Sequence, residues 1–405
     1  MMEPKIRFSS NNKSWEKKNI GDIFFFKNGL NKDKSAFGHG TPIINYTDVY
    51  RHRGLTKDLI KGKVNLEADE IRRYKVKQGD VFFTRTSETP EEVGFSSVML
   101  DEVEDCSFSG FVLRARPMTD DLLYEYCKEC FSTGSVRKYI ILTCTYTTRA
   151  LTNGTVLSRI PIYIPQKSEQ QTIASYFTSL DSQISAATSR LASLKQMKAA
   201  SLLAMFPQEG ETVPKVRFKG FEGEWKKVKA DSIFKTFNEK NRPDLPVLSA
   251  TQDRGMVTRE SIGYNIFHDT SNEATYKHIL PGQFVIHLRS FQGGFAHSEI
   301  EGIASPAYTI MDFKDKDLYH DYYWRYVFMS KEFIKRLELI AYGIRDGRSI
   351  SYDEFKEMSF LVPSKEEQIK IASYLKNLDH QITLQTQRLE KLKQIKSACL
   401  DKMFV

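Results

Sequence analysis

Cys127 and Cys130 form the one thiol pair in this chain with a spacing that could hold zinc or run redox chemistry. No second pair completes such a site. In an internal repeat described below, Tyr323 and Tyr326 stand at the corresponding places, so helix packing is the expected use. Phe37-Gly38-His39-Gly40 echoes a cofactor-binding glycine loop. It neither follows a clear strand nor opens a helix, so a turn is expected. Pro243-Asp244 could begin an acidic nuclease motif, but no Glu-x-Lys follows, and Arg242 to Pro246 reads as a turn. The histidines fall in no ligand spacing, and a Gly-x-x-x-x-Gly-Lys-Ser/Thr phosphate loop is missing, which argues against a motor. The sequence therefore offers no catalytic constellation and no metal site.

What it offers instead is duplication. Pro4-Lys5-Ile6-Arg7-Phe8 with Trp15 returns as Pro214-Lys215-Val216-Arg217-Phe218 with Trp225. Glu169-Gln170, Ile173-Ala174-Ser175-Tyr176, Leu180-Asp181 and Gln183-Ile184 return as Glu367-Gln368, Ile371-Ala372-Ser373-Tyr374, Leu378-Asp379 and Gln381-Ile382. A period near 200 residues is too long for a solenoid and matches a whole domain with its connector. With 405 residues there is room for full cores. The excess of 59 basic over 51 acidic residues, +8, with a pI near 9.0, fits a nucleic-acid partner. Five scattered cysteines point to a reducing cytoplasm. No leader-like apolar stretch follows Met1, and the longest apolar runs are too short for a bilayer, so a cytoplasmic protein without a membrane partner is expected.

Residues 1–165 read as a mixed α/β region. Val81–Phe83 and Phe111–Ala115 have strand composition, and Leu122 to Ile141 reads as helix with a break near Gly134. From Glu169 to Met205 there is neither Gly nor Pro, and apolar residues at 173, 177, 180, 184, 187, 191 and 194 make a heptad seam. Ser168 with Gln171 offers a capping box. Segment 166–207 is thus one long helix. A second α/β region occupies 208–362, with strands at Phe284–Ile286 and Ala307–Met311. A second long helix covers 363–405, with Ser364 and Glu367 as its capping box. Lys198 and Lys396 interrupt the two seams at matching positions, either to fix register or as lysine stems reaching solvent. The expected fold is α/β (α+β): two pseudo-two-fold domain copies, separated by two long antiparallel coiled-coil helices.

The twice-repeated pattern of Pro, Glu-Gln, Ile-Ala-x-Tyr and Leu-Asp-x-Gln-Ile, at Pro165–Ile184 and Pro363–Ile382, resembles the specificity (S) subunit of type I restriction-modification enzymes. The resemblance covers nearly the whole chain. It implies two target-recognition domains, each reading half of a split double-stranded DNA sequence. The helix pair would act as ruler and as dock for two methyltransferase (modification) subunits. Those subunits would use S-adenosylmethionine to methylate adenine N6, and restriction/translocase subunits would add ATP- and Mg-dependent translocation and cleavage. The chain itself would bind no cofactor. It has no Pro-Pro dipeptide, hence no Asn/Asp-Pro-Pro-Tyr/Phe loop of its own. The competing readings are a protein-interaction scaffold that ignores DNA and a self-sufficient DNA-modifying enzyme.

Comparing the copies separates frame from reading surface. Pro42–Thr47 matches Pro246–Thr251, each leading to Arg-Gly, and Lys77–Ser87 matches Leu280–Ser290, while the polar loop residues diverge. Arginine can grip guanine with two hydrogen bonds, and Asn or Gln can do so with adenine. The candidate DNA-binding residues are Asn45, Arg51, Arg53, Arg85, Thr86 and Ser87 in the first copy, and Thr251, Gln252, Arg254, Arg289, Ser290 and Gln292 in the second. Thr147, Thr148, Arg149, Arg345 and Arg348, in loops ahead of the long helices, suit phosphates.

Overall fold

The computed structural model describes residues 3–8, 13–251, 254–262, 270–287, 294–340 and 351–405. The chain divides into two compact units. Unit 1 is Met1–Thr188 with Gln387–Val405, and unit 2 is Ser189–Thr386.

Apolar runs such as Val81-Phe82-Phe83 are buried on both faces, with Val81 and Phe83 in one core cluster and Phe82 in another. They become central strands. The main sheet of unit 1 orders Phe24–Asn28, Val112–Pro117, Val81–Thr84, Ser96–Met99 and Gly54–Leu55. All pairs are antiparallel except the last. Unit 2 repeats the first four positions with Phe234–Phe237, Thr309–Phe313, Phe284–Ile286 and Phe295–His297. A separate two-stranded sheet closes each domain by setting its first strand against its last: Glu16–Asn19 on Pro161–Ile164, and Lys226–Lys229 on Ser359–Val362.

The repeated motifs turn out to touch one another. Arg7 grips Glu169 with two charge-assisted hydrogen bonds of 2.9 and 2.7 Å, and Arg217 grips Glu367 with the same two lengths. Both carboxylates are 2 % exposed, and each meets a guanidinium in place of water. The adjacent glutamines are clamps. Gln170 accepts the Leu123 N–H and donates to the Asp121 and Pro165 carbonyls; Gln368 accepts from His320 and donates to Leu318 and Pro363. Each fastens the start of a long helix to its own domain. Phe8 packs edge-on against Tyr176, and Phe218 against Tyr374.

The long helices run Lys167–Ala204 and Lys365–Lys402. Within each unit, the first part of one lies antiparallel to the last part of the other. In unit 1, Lys396 reaches Asp181 at 2.5 Å and Tyr176 meets Cys399. In unit 2, Lys198 reaches Asp379 at 2.5 Å and Tyr374 meets Ser201. The two seam lysines are thus half-buried and ion-paired across the helices rather than stems reaching free into solvent. Leu400, Met403 and Phe404 complete the core of unit 1, and Leu194, Met205 and Phe206 that of unit 2.

Three expectations need correction. The first long helix starts at Lys167, so Ser168 lies inside it and cannot cap it; in the second, the Ser364 hydroxyl does receive the Glu367 N–H. Phe37–Gly40 begins a strand, Phe37–Ile44, whose register shifts between Phe37 and Thr41, with Gly38 and Gly40 at positive φ. It is a bulged strand rather than a turn. The region 122–141 is broken ahead of Gly134 as expected, into the helices Tyr124–Cys130 and Gly134–Thr143, the second capped by Thr133. Finally, Tyr126 and Tyr323 pack alike, on Phe404 and Phe206 respectively, so Cys127 and Cys130 correspond to Trp324 and Val327, one residue from the expected tyrosines.

Candidate nucleic-acid interface

In unit 1 the strand Val81–Thr84 leaves the main sheet at Arg85. The Arg85 N–H donates to the Phe111 carbonyl, and its own carbonyl accepts from Thr152. These bonds turn Thr86–Ser87 into a second, three-stranded sheet with Ala150–Leu151 and Thr145–Tyr146. Thr147, Thr148 and Arg149 form the exposed tip of its hairpin. Arg149 reaches Glu88 at 3.1 Å, both side chains being exposed. Six candidates from two distant stretches, Arg85–Ser87 and Thr147–Arg149, therefore share one small platform.

Glu92 organises the side of that platform. It accepts from the Ser87 hydroxyl at 3.1 Å and from the Tyr50 hydroxyl at 2.8 Å. Tyr50, whose ring stacks on Tyr46 and packs on Phe95, ties the helix Tyr46–Arg51 to the same loop and leaves Arg51 exposed at its end. Tyr50 and Glu92 were not among the candidates, and no spacing or repeat in the sequence marks them. Tyr146, 57 % exposed on the platform, was also missed; a lone aromatic beside a polar loop is a signal that could have flagged it.

Three candidates have internal tasks. Ser87 is 6 % exposed and its hydroxyl is held by Glu92. Asn45 precedes the helix Tyr46–Arg51, and its backbone N–H donates to Asp48, with the side chain turned to the Ile43 carbonyl. Arg53 pairs at 2.7 Å with Glu129, which is 1 % exposed. Glu129 in turn meets Lys396 at 3.6 Å.

In unit 2 the stretch matching Pro42–Thr47 does not enter a helix. It forms the hairpin Leu248–Thr251 and Gly255–Thr258. The Thr251 hydroxyl donates to the Gly255 carbonyl and accepts the Arg254 N–H, which presents Arg254 at the exposed tip. Gly255 has φ +74, and a Cβ there would come within 2.3 Å of the His297 carbonyl oxygen, so only glycine fits. Gln252, Arg289, Ser290, Gln292, Arg345 and Arg348 lie outside the described residues.

The arrangement supplies hydrogen-bond donors and exposed cations on a rigid support. Among the described residues no three His, Cys, Asp or Glu side chains are grouped to hold a metal. Cys127 and Cys130 are buried in the unit 1 core, where burial pushes the Cys130 thiol well above its ordinary range and away from the reactive thiolate. Arg242 and Asp244 pair with each other in a turn. Among the described residues no helix is long and apolar enough to cross a membrane.

Comparison with known proteins agrees with this geometry. Over 180 residues the chain is 24 % identical to the type I restriction enzyme EcoKI specificity subunit of Escherichia coli K12, a stretch covering 42 % of this chain and 38 % of that subunit. The chain thus spans less than half the length of that curated relative. Its fold is similar over its full length to the S subunit of a type I restriction-modification system from M. genitalium, with TM-score 0.60, 15 % identity and 99 % of that chain covered. It is similar over 97 % of both chains to the HsdS subunit from Thermoanaerobacter tengcongensis, with TM-score 0.50 and 15 % identity. Residues 12–196 and 222–394 each match the type I restriction modification DNA specificity domain. With both of its α/β copies and most of both long helices inside those matches, the chain belongs to the type I restriction-modification DNA specificity family.

Proposed function

We propose that this chain is the sequence-reading, non-catalytic component of a DNA adenine methyltransferase and restriction complex. Each unit presents one recognition domain to half of a bipartite target in double-stranded DNA. The long helices set the distance between the halves and carry two methyltransferase subunits, which supply S-adenosylmethionine and methylate adenine N6. Restriction/translocase subunits would add ATP and Mg chemistry.

The observation that carries this reading is the contrast between frame and loops. The Arg–Glu pair, the Gln clamp, the four-strand core and the lysine–aspartate node recur in both units. Among the described residues the polar surface differs: unit 1 enters the helix Tyr46–Arg51 where unit 2 forms the hairpin Leu248–Thr251 and Gly255–Thr258. A fixed frame under different loops is what two readers of different sequences require. A protein-interaction scaffold would have no need for polar loops that differ over an otherwise duplicated frame.

Domain exchange tests it. Replacing residues 214–362 with the corresponding domain of another specificity chain, then mapping methylated adenines in cells with the partner subunits, should change one half-site and spare the other. A change in both halves, or in neither, overturns the assignment.

A further inference from the structure

A lysine interrupts the apolar run Phe24-Phe25-Phe26-Lys27, and the structure sets it directly across the strand pair from Arg114. Like charges placed opposite each other destabilise a sheet. More cations join them. The Lys27 ammonium donates to the Arg73 carbonyl and lies 4.8 Å from the centre of the Tyr74 ring, with the Arg73 guanidinium 5.7 Å from the same ring. Arg114, 4 % exposed, and Arg116 both donate to the Lys75 carbonyl, at 3.0 and 2.7 Å.

Four cations, Lys27, Arg73, Arg114 and Arg116, thus gather beside one carboxylate, Asp80, which Arg116 already occupies with bonds of 2.8 and 2.7 Å. The nearest acids on the adjoining helix are spent too: Asp69 pairs with Arg72 and Glu70 with Lys32. Among the described residues, Lys27, Arg73 and Lys75 form no ion pair. Burial, and then Arg114, Arg73 and Arg116, hold the Lys27 ammonium below the ordinary lysine range.

The fold does not need this charge. In unit 2 the same pair of cross-strand positions holds Phe237 and Ile310. Ile310 belongs to an apolar core, with Phe237 packed on it. The cluster is therefore an addition to the first copy alone, kept in spite of its repulsion. A groove lined by Lys27, Asn28, Arg85 and Asn153 runs from it toward the residue where the platform begins.

We propose that Lys27 and Arg73 form a phosphate-contacting patch through which the first recognition domain holds the backbone of its DNA target. The patch supplies the missing anion from the duplex and continues the contact surface from the Arg85–Arg149 platform. It rests on the reading of the chain as a DNA reader and adds backbone contacts that belong to one half-site only.

The test uses the full-length chain with Lys27→Met, Arg73→Ala, the double variant, and Lys219→Ala at an exposed position in unit 2 as control. Fluorescence anisotropy on duplex DNA between about 50 and 200 mM salt gives the slope of log K against log salt. Each patch variant should lower that slope by about 0.9, and the double by about 1.8. Affinity should weaken to a similar degree for all sequences, as expected of backbone contacts. Lys219→Ala should match wild type. Lys27→Met copies the apolar choice of unit 2, so its melting temperature should equal or exceed wild type. Wild-type slopes in variants of a DNA-binding chain overturn the patch and leave the wider reading standing. A lower melting temperature with an unchanged slope makes Lys27 purely structural and overturns it as well. A wild-type chain that binds no duplex at any salt overturns the DNA-reading assignment and the patch with it.

Discussion

Replacing Arg7 by methionine should destabilise unit 1 far more than its position near the surface suggests. Arg7 is 14 % exposed, but its partner Glu169 is 2 % exposed and would be left as a buried carboxylate. Breaking one side of a buried ion pair costs about 3–5 kcal/mol. Here Trp15 still donates to Glu169 at 3.2 Å, so about 3 kcal/mol is expected. For a unit of roughly 200 residues that lowers the melting temperature by about 6–12 °C. Unit 2 provides an internal comparison, because the Trp225 indole N–H finds no acceptor and gives Glu367 no such relief. Arg217→Met should therefore cost about 1–2 kcal/mol more than Arg7→Met. Differential scanning calorimetry of the full chain can follow the transitions of both units. Arg7→Met with Glu169→Gln removes both charges, keeps the Trp15 hydrogen bond and should recover at least half of the loss. A shift under about 2 °C for Arg7→Met, or a double variant no better than the single, would refute the reasoning.

Three further outcomes follow from the helix pair. Burial alone would raise the pKa of Asp181, but Lys128 and Lys396 outweigh it and hold the carboxyl below its usual range, so the stability it contributes is present above about pH 4, the unfolded value, and is lost as pH falls through the lower folded value; the melting-temperature gap between wild type and Asp181→Asn should close on acidification, and a gap independent of pH would contradict this. Joining Val405 to Met1 and opening the chain within 208–213 should preserve folding, because the Ile6 N–H meets the Lys402 carbonyl at 3.0 Å just as the Val216 N–H meets that of Ala204 at 2.9 Å, and a circular dichroism melt reports it. Adding four residues between Asp181 and Lys198, and four more between Asp379 and Lys396, keeps both nodes and lengthens each helix by about 6 Å; methylation mapping should show a spacer longer by about one or two base pairs with both half-sites unchanged, and an unchanged spacer in an active complex would mean the helices do not measure it.

The long helices and the duplication were legible because their signals are local and periodic: a heptad seam without Gly or Pro, and identical residues at fixed offsets. The pairing of Arg7 with Glu169 was not, although both residues had been marked as repeats, because nothing in a sequence says which of two repeated motifs folds back onto the other. Ser168 failed as a cap for a related reason. The Gln170 clamp, whose partners lie at 121 and 123, decides where the helix begins, and it reaches across sequence. Within the candidate set, exposure was not legible from residue type. Residue type picked out Thr86 and Arg149, but it could not distinguish Arg149 at an exposed tip from Arg53 held by Glu129. That difference depends on a buried partner 76 residues away.

The mutual completion of the two cores sets an order of events on the ribosome. Most of unit 1 is made before unit 2, yet its core lacks Leu400, Met403 and Phe404 until about 210 residues beyond Thr188 have been added. At about 5–20 residues per second that delay is about 10–40 s. Unit 2, by contrast, contains only Ser189–Thr386 and can close earlier, as one continuous stretch. The first half synthesised is thus the last to mature, and a nascent chain that stalls before residue 400 carries an unfinished core that quality-control proteases can recognise. Pulse proteolysis of chains stalled on either side of Phe404 should show protection of unit 1 appearing only once Leu400, Met403 and Phe404 are present, which would tie maturation of the upstream domain to synthesis of the second long helix.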